Sequence, residues 1–175
     1  MRKGTGIFIN YRRRDAAGHA GRLFDWLAAR RGAAHVFMDV SGIKLGGDFA
    51  QLIDAALRRC EVVLVLIGPS WMASLDARRD DPQDWVRIEI ERALELEVRI
   101  IPVLVGGAAL PAAAQLPAAL APLVGLQSIE LSDSKWESDR ELLWQAVKPV
   151  RHWQLPPRER IRTGVFWAAL VVLVV

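Results

Sequence analysis

Apolar residues along this chain recur in two spacings. Five short runs have the length and β-branched content of strands: Ile7-Phe8-Ile9, His35-Val36-Phe37-Met38, Val62 to Ile67, Ile100 to Val105, and Ser128-Ile129-Glu130-Leu131. The central runs are apolar at consecutive positions, as parallel strands covered on both faces are. Between them the spacing turns helical. Leu23, Trp26, Leu27 and Arg30 form one stripe. Phe49, Leu52, Ile53, Ala56 and Leu57 form a cleaner one with Asp48 as a first-turn acid, and Val86, Ile90, Ala93 and Leu94 form a third. Leu142, Leu143, Ala146, Val147 and Val150 make the last, ahead of Pro156-Pro157. The alternation predicts an α/β fold, an open five-stranded parallel sheet with helices on both faces and right-handed crossovers. Residues 108–123, rich in Ala and Pro, predict a loop with one short helix, and no internal repeat is evident.

Composition narrows the class. A chain of 175 residues, 52% hydrophobic and 25% charged, suffices for one substantial core and a short appendage. The net charge of +3 is small and its basic residues are scattered, so nucleic acid is not an expected partner. The single cysteine, Cys60, excludes an internal disulfide framework and a cysteine-based zinc cluster, which fits a reducing compartment and a cytoplasmic setting. His19, His35 and His152 have neither metal-ligand spacing nor a paired nucleophile, and no metal is expected. Met1-Arg2-Lys3 leads at once into a strand-like run, without the apolar stretch of a secretory signal.

The far end differs. Gly164 to Val175 is uninterrupted apolar sequence after Arg158, Arg160 and Arg162. About 12 residues of helix reach only about 18 Å, against a hydrocarbon core of about 30 Å. The favoured expectation is the start of a transmembrane helix, with the arginines keeping the globular part at the inner face of the plasma membrane; the alternatives are a tail that packs against a partner or lies shallowly in a membrane, and a buried terminal helix or strand. The chain therefore divides into a domain at residues 4–150, a basic, proline-containing linker at 151–163 and an apolar segment at 164–175.

In an open sheet of this kind ligands bind beyond the carboxyl ends of the strands, and the distinctive residues fall there. Tyr11, Arg12 and Arg13 follow the first strand. Asp39 to Phe49, with Gly42, Gly46 and Gly47, follow the second, Pro69, Ser70 and Trp71 the third, and Gly106 and Gly107 the fourth. The stretch from Asp84 to Leu94 reads as the start of a helix in which Trp85 and Glu89, four residues apart, share a face.

These boxes together resemble the TIR domain, the Toll/interleukin-1 receptor and plant-resistance family, in its bacterial form. Phe8-Ile9-Asn10-Tyr11-Arg12-Arg13 is similar to the family's opening box, which usually has Ser where Asn10 stands. Val36-Phe37-Met38-Asp39 and the glycine-containing loop to Phe49 resemble its second strand and BB loop, and Glu61 to Trp71 its third strand and exit. The loop reads Lys44-Leu45-Gly46-Gly47-Asp48, without the proline many relatives have before its glycine. The resemblance implies a flavodoxin-like fold and, as in many members, NAD+ hydrolysis in signalling or defence. By the Trp-x-x-x-Glu pattern it assigns the catalytic carboxylate to Glu89 and the aromatic partner to Trp85. It places Tyr11, Arg12, Gly47, Phe49, Ser70 and Trp71 around the nicotinamide and ribose, with Arg13 and Asp39 among the substrate-binding residues. NAD+ is then the substrate and no cofactor is required. The family also implies a homo-oligomer through TIR-TIR contacts, assembly acting as the switch.

The chemistry agrees with the residue types. Nicotinamide is attached as a cation and departs neutral, so no general acid is needed on the leaving group. One carboxylate, Glu89, suffices to stabilise an oxocarbenium-like ribose carbon by position and charge. Trp71, Tyr11 or Phe49 supply an aromatic wall for the pyridinium ring, and Arg12 or Arg13 donors for the pyrophosphate. A phosphate-binding loop of the Gly-rich Lys-Ser/Thr type and a classical dinucleotide fingerprint are absent. A phospho-receiver needs an aspartate where this chain has Gly68-Pro69-Ser70. The remaining alternative is a non-enzymatic TIR adaptor that transmits signals by docking alone.

Overall fold

The longest apolar run becomes the centre of the sheet in the computed structural model, which describes residues 4–38 and 49–148. Five strands, β1 (Gly6–Asn10), β2 (Val36–Met38), β3 (Cys60–Ile67), β4 (Arg99–Val105) and β5 (Ile129–Leu131), pair in parallel in the order β2-β1-β3-β4-β5. Alternate residues of β3 point to opposite faces, and both faces are covered. Val62, Leu64 and Leu66 join Ile7 and Ile9 under the helices α1 (Arg13–Arg31) and α5 (Trp136–Val147). Val63, Val65 and Ile67 join Phe8 under α2 (Phe49–Arg58), α3 (Trp71–Asp76) and α4 (Trp85–Glu95). Each fully buried aliphatic side chain contributes about 1.5–3 kcal/mol by leaving water, which is why β3 holds the sheet's middle position.

The expected five-stranded parallel sheet with helices on both faces is therefore found, with three local differences. The stretch predicted as a loop with one short helix, residues 108–123, instead enters two 3-10 segments, Ala113–Gln115 and Ala118–Gly125, the second running two residues past it. Pro117 and Pro122 remove the N–H groups that a longer α-helix there would need, while Leu116, Leu120 and Leu123 still reach the core. Helix α3 has six residues, too few for a periodic pattern to announce it. In α5, Leu143 and Val147 are buried whereas Leu142 is 64% exposed, because successive residues lie about 100° apart on a helix and Leu142 and Leu143 cannot both face the sheet. Asp48, Val150, the linker at 151–163 and the apolar segment at 164–175 lie outside the described residues. Among the described residues no helix is long and apolar enough to cross a membrane.

Two ties bring the strand ends to fixed places. Asp15, in the first turn of α1, accepts hydrogen bonds from the backbone N–H groups of Gly68 (2.9 Å) and Ser70 (2.7 Å), joining α1 to the exit of β3. Gly68 is required by this close approach, since a Cβ there would lie 2.6 Å from the Asp15 carboxylate oxygens. Arg92 of α4 meets Asp54 of α2 at 2.8 and 2.5 Å and holds that carboxyl below the usual range, which keeps the two helices in register over the sheet.

Cys60 opens β3, donates to the carbonyl of Ala56 at 3.2 Å, and is 5% exposed. Burial pushes its thiol up to about 12. The native protein at pH 8 is expected to react with iodoacetamide roughly a thousandfold more slowly than the urea-unfolded chain, because so little thiolate is present. Comparable rates in the two states, followed by mass spectrometry, would contradict this burial.

Candidate functional site

The site is built where α4 begins. Asp81 starts the approach, accepting the Gln83 N–H on its carboxylate (2.8 Å) and the Asp84 N–H on its carbonyl (3.2 Å). Asp84 precedes the first helical residue, and its carbonyl accepts the N–H of Ile88 at 3.0 Å. An aspartate there ordinarily caps the helix with its side chain. Here the carboxylate turns instead to Arg12, just beyond β1, and takes both ends of the guanidinium at 3.1 and 2.7 Å. Arg12 is 6% exposed and Asp84 is fully buried. Burying two charges is tolerable only in such a bidentate pair, and removing one partner of a buried pair costs about 3–5 kcal/mol.

One turn on, the expected face appears. Trp85 and Glu89 point to the same side of α4, Trp85 half-buried and Glu89 only 7% exposed, which is rare for a glutamate without specific partners. Glu89 Oε2 accepts a hydrogen bond of 2.7 Å from Asn10 Nδ2, at the end of β1. The same nitrogen donates at 2.9 Å to the carbonyl of Val86. The end of β1 thus grips the first two turns of α4 at Asp84, Val86 and Glu89.

Above this grip lies a cleft of about 420 Å³, within the usual range of ligand sites. It sits at the carboxyl end of β1 next to β3, where the strand order reverses and open sheets of this topology bind ligands. Glu89, Asp84, Trp85 and Val86 form one wall, Tyr11, Arg12, Arg13 and Arg14 a second, and Ser74, Ala77 and Arg78 a third. The cleft therefore combines a buried carboxylate and two aromatic rings with a basic rim. Among the described residues no group of three or more His, Cys, Asp or Glu side chains is placed to hold a metal ion.

The sequence-predicted residues divide accordingly. Glu89, Trp85, Tyr11, Arg12 and Arg13 all line this cleft. Arg12 is committed to Asp84, and its Nε finds no partner among the described residues. Ser70 and Trp71 are not brought into the cleft. Trp71 is fully buried in the core beneath α3, with the Arg12 guanidinium 5.9 Å from its ring, and Ser70 is exposed beside the Asp15 tie. Asp39 and Gly47 lie outside the described residues, as does the side chain of Phe49, the first residue of α2. Sequence reasoning did not assign the gripping roles of Asn10 and Asp84 or the wall position of Arg78. The available signals were a polar residue ending an otherwise apolar strand and an aspartate just ahead of a helix.

Comparison with known proteins gives one assignment. The family model described as TIR domain matches residues 7–144. Among solved structures, the TIR domains of the activated Roq1 resistosome, which directly recognizes the pathogen effector XopQ, are similar at a TM-score of 0.58 and 15% identity over 82% of this chain and 97% of that one. A metazoan TIR-STING receptor from C. gigas in complex with 2',3'-cGAMP is similar at 0.54 and 20% identity over 85% of this chain. The same receptor in a second structure gives 0.52 and 18%. This chain spans 42% and 43% of those two receptor chains. Among curated proteins nothing matches this sequence.

Replacing Arg12 or Asp84 singly by alanine is expected to destabilise the fold by about 3–5 kcal/mol, and the double replacement by clearly less than the sum. Urea titrations of the three variants measure the coupling. Additive losses would mean that the two side chains do not act as a pair.

Proposed function

The chain belongs to the TIR domain family, and from that premise we propose that it cleaves the nicotinamide-ribose bond of NAD+, with Glu89 as the catalytic carboxylate and self-association as the switch. The observation that carries the reading is Glu89 itself: a 7% exposed glutamate that still lines a cleft at the strand-order reversal. A solvated helix face needs no such burial.

The chemistry follows from the wall residues. The pyridinium ring is a cation that departs neutral, so the difficult charge is the one that grows on the ribose carbon. A carboxylate held in a recess stabilises that charge far better than one in open water, because fewer solvent dipoles screen it. Trp85 and Tyr11 are the aromatic faces lining the cleft, and they take the stacking role that Trp71, packed in the core, does not. A cation over an aromatic face gains about 0.5–2 kcal/mol. With Arg12 held by Asp84, donors for the phosphates come from the other arginines of the rim, Arg13, Arg14 and Arg78. Support for assembly comes from the similarity to TIR domains solved within an activated resistosome.

Concentrated protein incubated with NAD+ is expected to release nicotinamide, read by chromatography. Glu89→Ala and Glu89→Gln should lower the rate about 100-fold or more without loss of folded protein. Turnover by the variants equal to the native rate would remove Glu89 from the mechanism. No release by clustered native protein would leave a domain that works by docking alone.

A further inference from the structure

We infer that Asn10 is a positioning residue, whose amide fixes the orientation of the Glu89 carboxylate at the cleft. The inference rests on the proposed role of Glu89, and the geometry beneath it is independent of that role. Asn10 ends β1 between two strands, its Cα paired with Val65 of β3, and its residue exposure is 1%. Its backbone therefore has little freedom to follow the side chain.

The amide orientation is dictated by its neighbours. Nδ2 faces two groups that only accept, the carbonyl of Val86 at 2.9 Å and the Glu89 carboxylate at 2.7 Å. Turned over, Asn10 would set its own oxygen against both. The orientation present leaves Oδ1 buried without a partner among the described residues. A buried acceptor left unpaired is unfavourable, so the arrangement commits the amide to the two donations to α4. One nitrogen spans a main-chain carbonyl and a side-chain carboxylate of the same helix, which ties the glutamate's rotamer to the helix's own backbone. The donor is also neutral. It orients the carboxylate without cancelling the negative charge that a growing ribose cation needs.

Among the described residues, the titratable groups lining the cleft with Glu89 come from four places: Tyr11 and Arg12 at the end of β1, Arg13 and Arg14 in α1, Arg78 after α3, and Asp84 ahead of α4. None of them is altered in the variants Asn10→Ala and Asn10→Asp. In the alanine variant, kcat for nicotinamide release should fall about 10- to 100-fold while KM stays within about threefold, since a misplaced carboxylate weakens the reacting state more than binding. The aspartate variant keeps the shape and puts a second carboxyl beside Glu89. At low pH the pair shares a proton, and the O–H of the introduced carboxyl replaces the amide donor. As pH rises that proton leaves, the two charges repel, and activity falls, a basic limb that the native profile lacks.

A second readout needs no turnover. The Glu89 side-chain carboxyl, followed by carbon NMR, should titrate at higher pH in the alanine variant than in the native protein, because a donor to the charged form has been removed. An unmoved titration together with a native kcat, or an aspartate variant whose activity drops evenly at every pH, overturns the proposal. Should the native protein release no nicotinamide, the hydrolase reading fails by itself, and the Glu89 titration still decides Asn10: a shift supports the positioning role and no shift ends it. If Asn10→Ala does not fold, the same titration in the Asn10→Asp variant decides it, with the shift again upward.

Discussion

Much of this molecule's order depends on one buried ion pair. Arg12 and Asp84 are distant in sequence, and each would be costly to bury alone. Their bidentate contact fixes where α4 starts relative to the end of β1, and a helix whose start is fixed has little freedom left in its first two turns. Trp85 and Glu89 inherit their places from that constraint. Asn10 adds a second contact on the same strand end, so α4 is held both in position along the sheet and in rotation about its own axis.

The remainder of the fold supplies rigidity to this corner. Both faces of β3 are packed, Asp15 holds the exit of that strand through two backbone N–H groups, and Arg92 and Asp54 tie α4 to its neighbour. Gly106, at a φ of 60°, turns the chain beyond β4 with Pro69 so close that a Cβ would approach it to 3.2 Å. Functional groups carried by strand ends and a helix, rather than by long loops, are held to tighter geometry. The distribution of charge follows the same division: carboxylates in the recess, held by specific donors, and arginines at the rim, where water still reaches them.

The fold was largely legible because its signal is repeated. Five apolar runs alternating with helical stripes leave few other architectures, and Trp85 and Glu89 at i and i+4 share a face in any helix that contains both. What escaped were features set by residues distant in sequence. Trp71 looks like a rim aromatic when read as the residue after a strand, yet the short α3 rolls it into the core. Arg12 reads as a free donor until Asp84, invisible as its partner in a linear scan, is folded onto it. Asn10 reads as a strand terminator, and only the packing of α4 against β1 gives its amide two acceptors. Leu142 was misjudged for a simpler reason, adjacency to Leu143 on a helix.

Within the described residues the two outermost strands, β2 and β5, span three residues each. A sheet grows by adding chains at its margins, and such brief margins give a newcomer very few main-chain groups to grasp. A chain meeting the sheet at these described margins is thereby steered away from open-ended β-stacking and toward side-chain surfaces, whose stoichiometry can be limited.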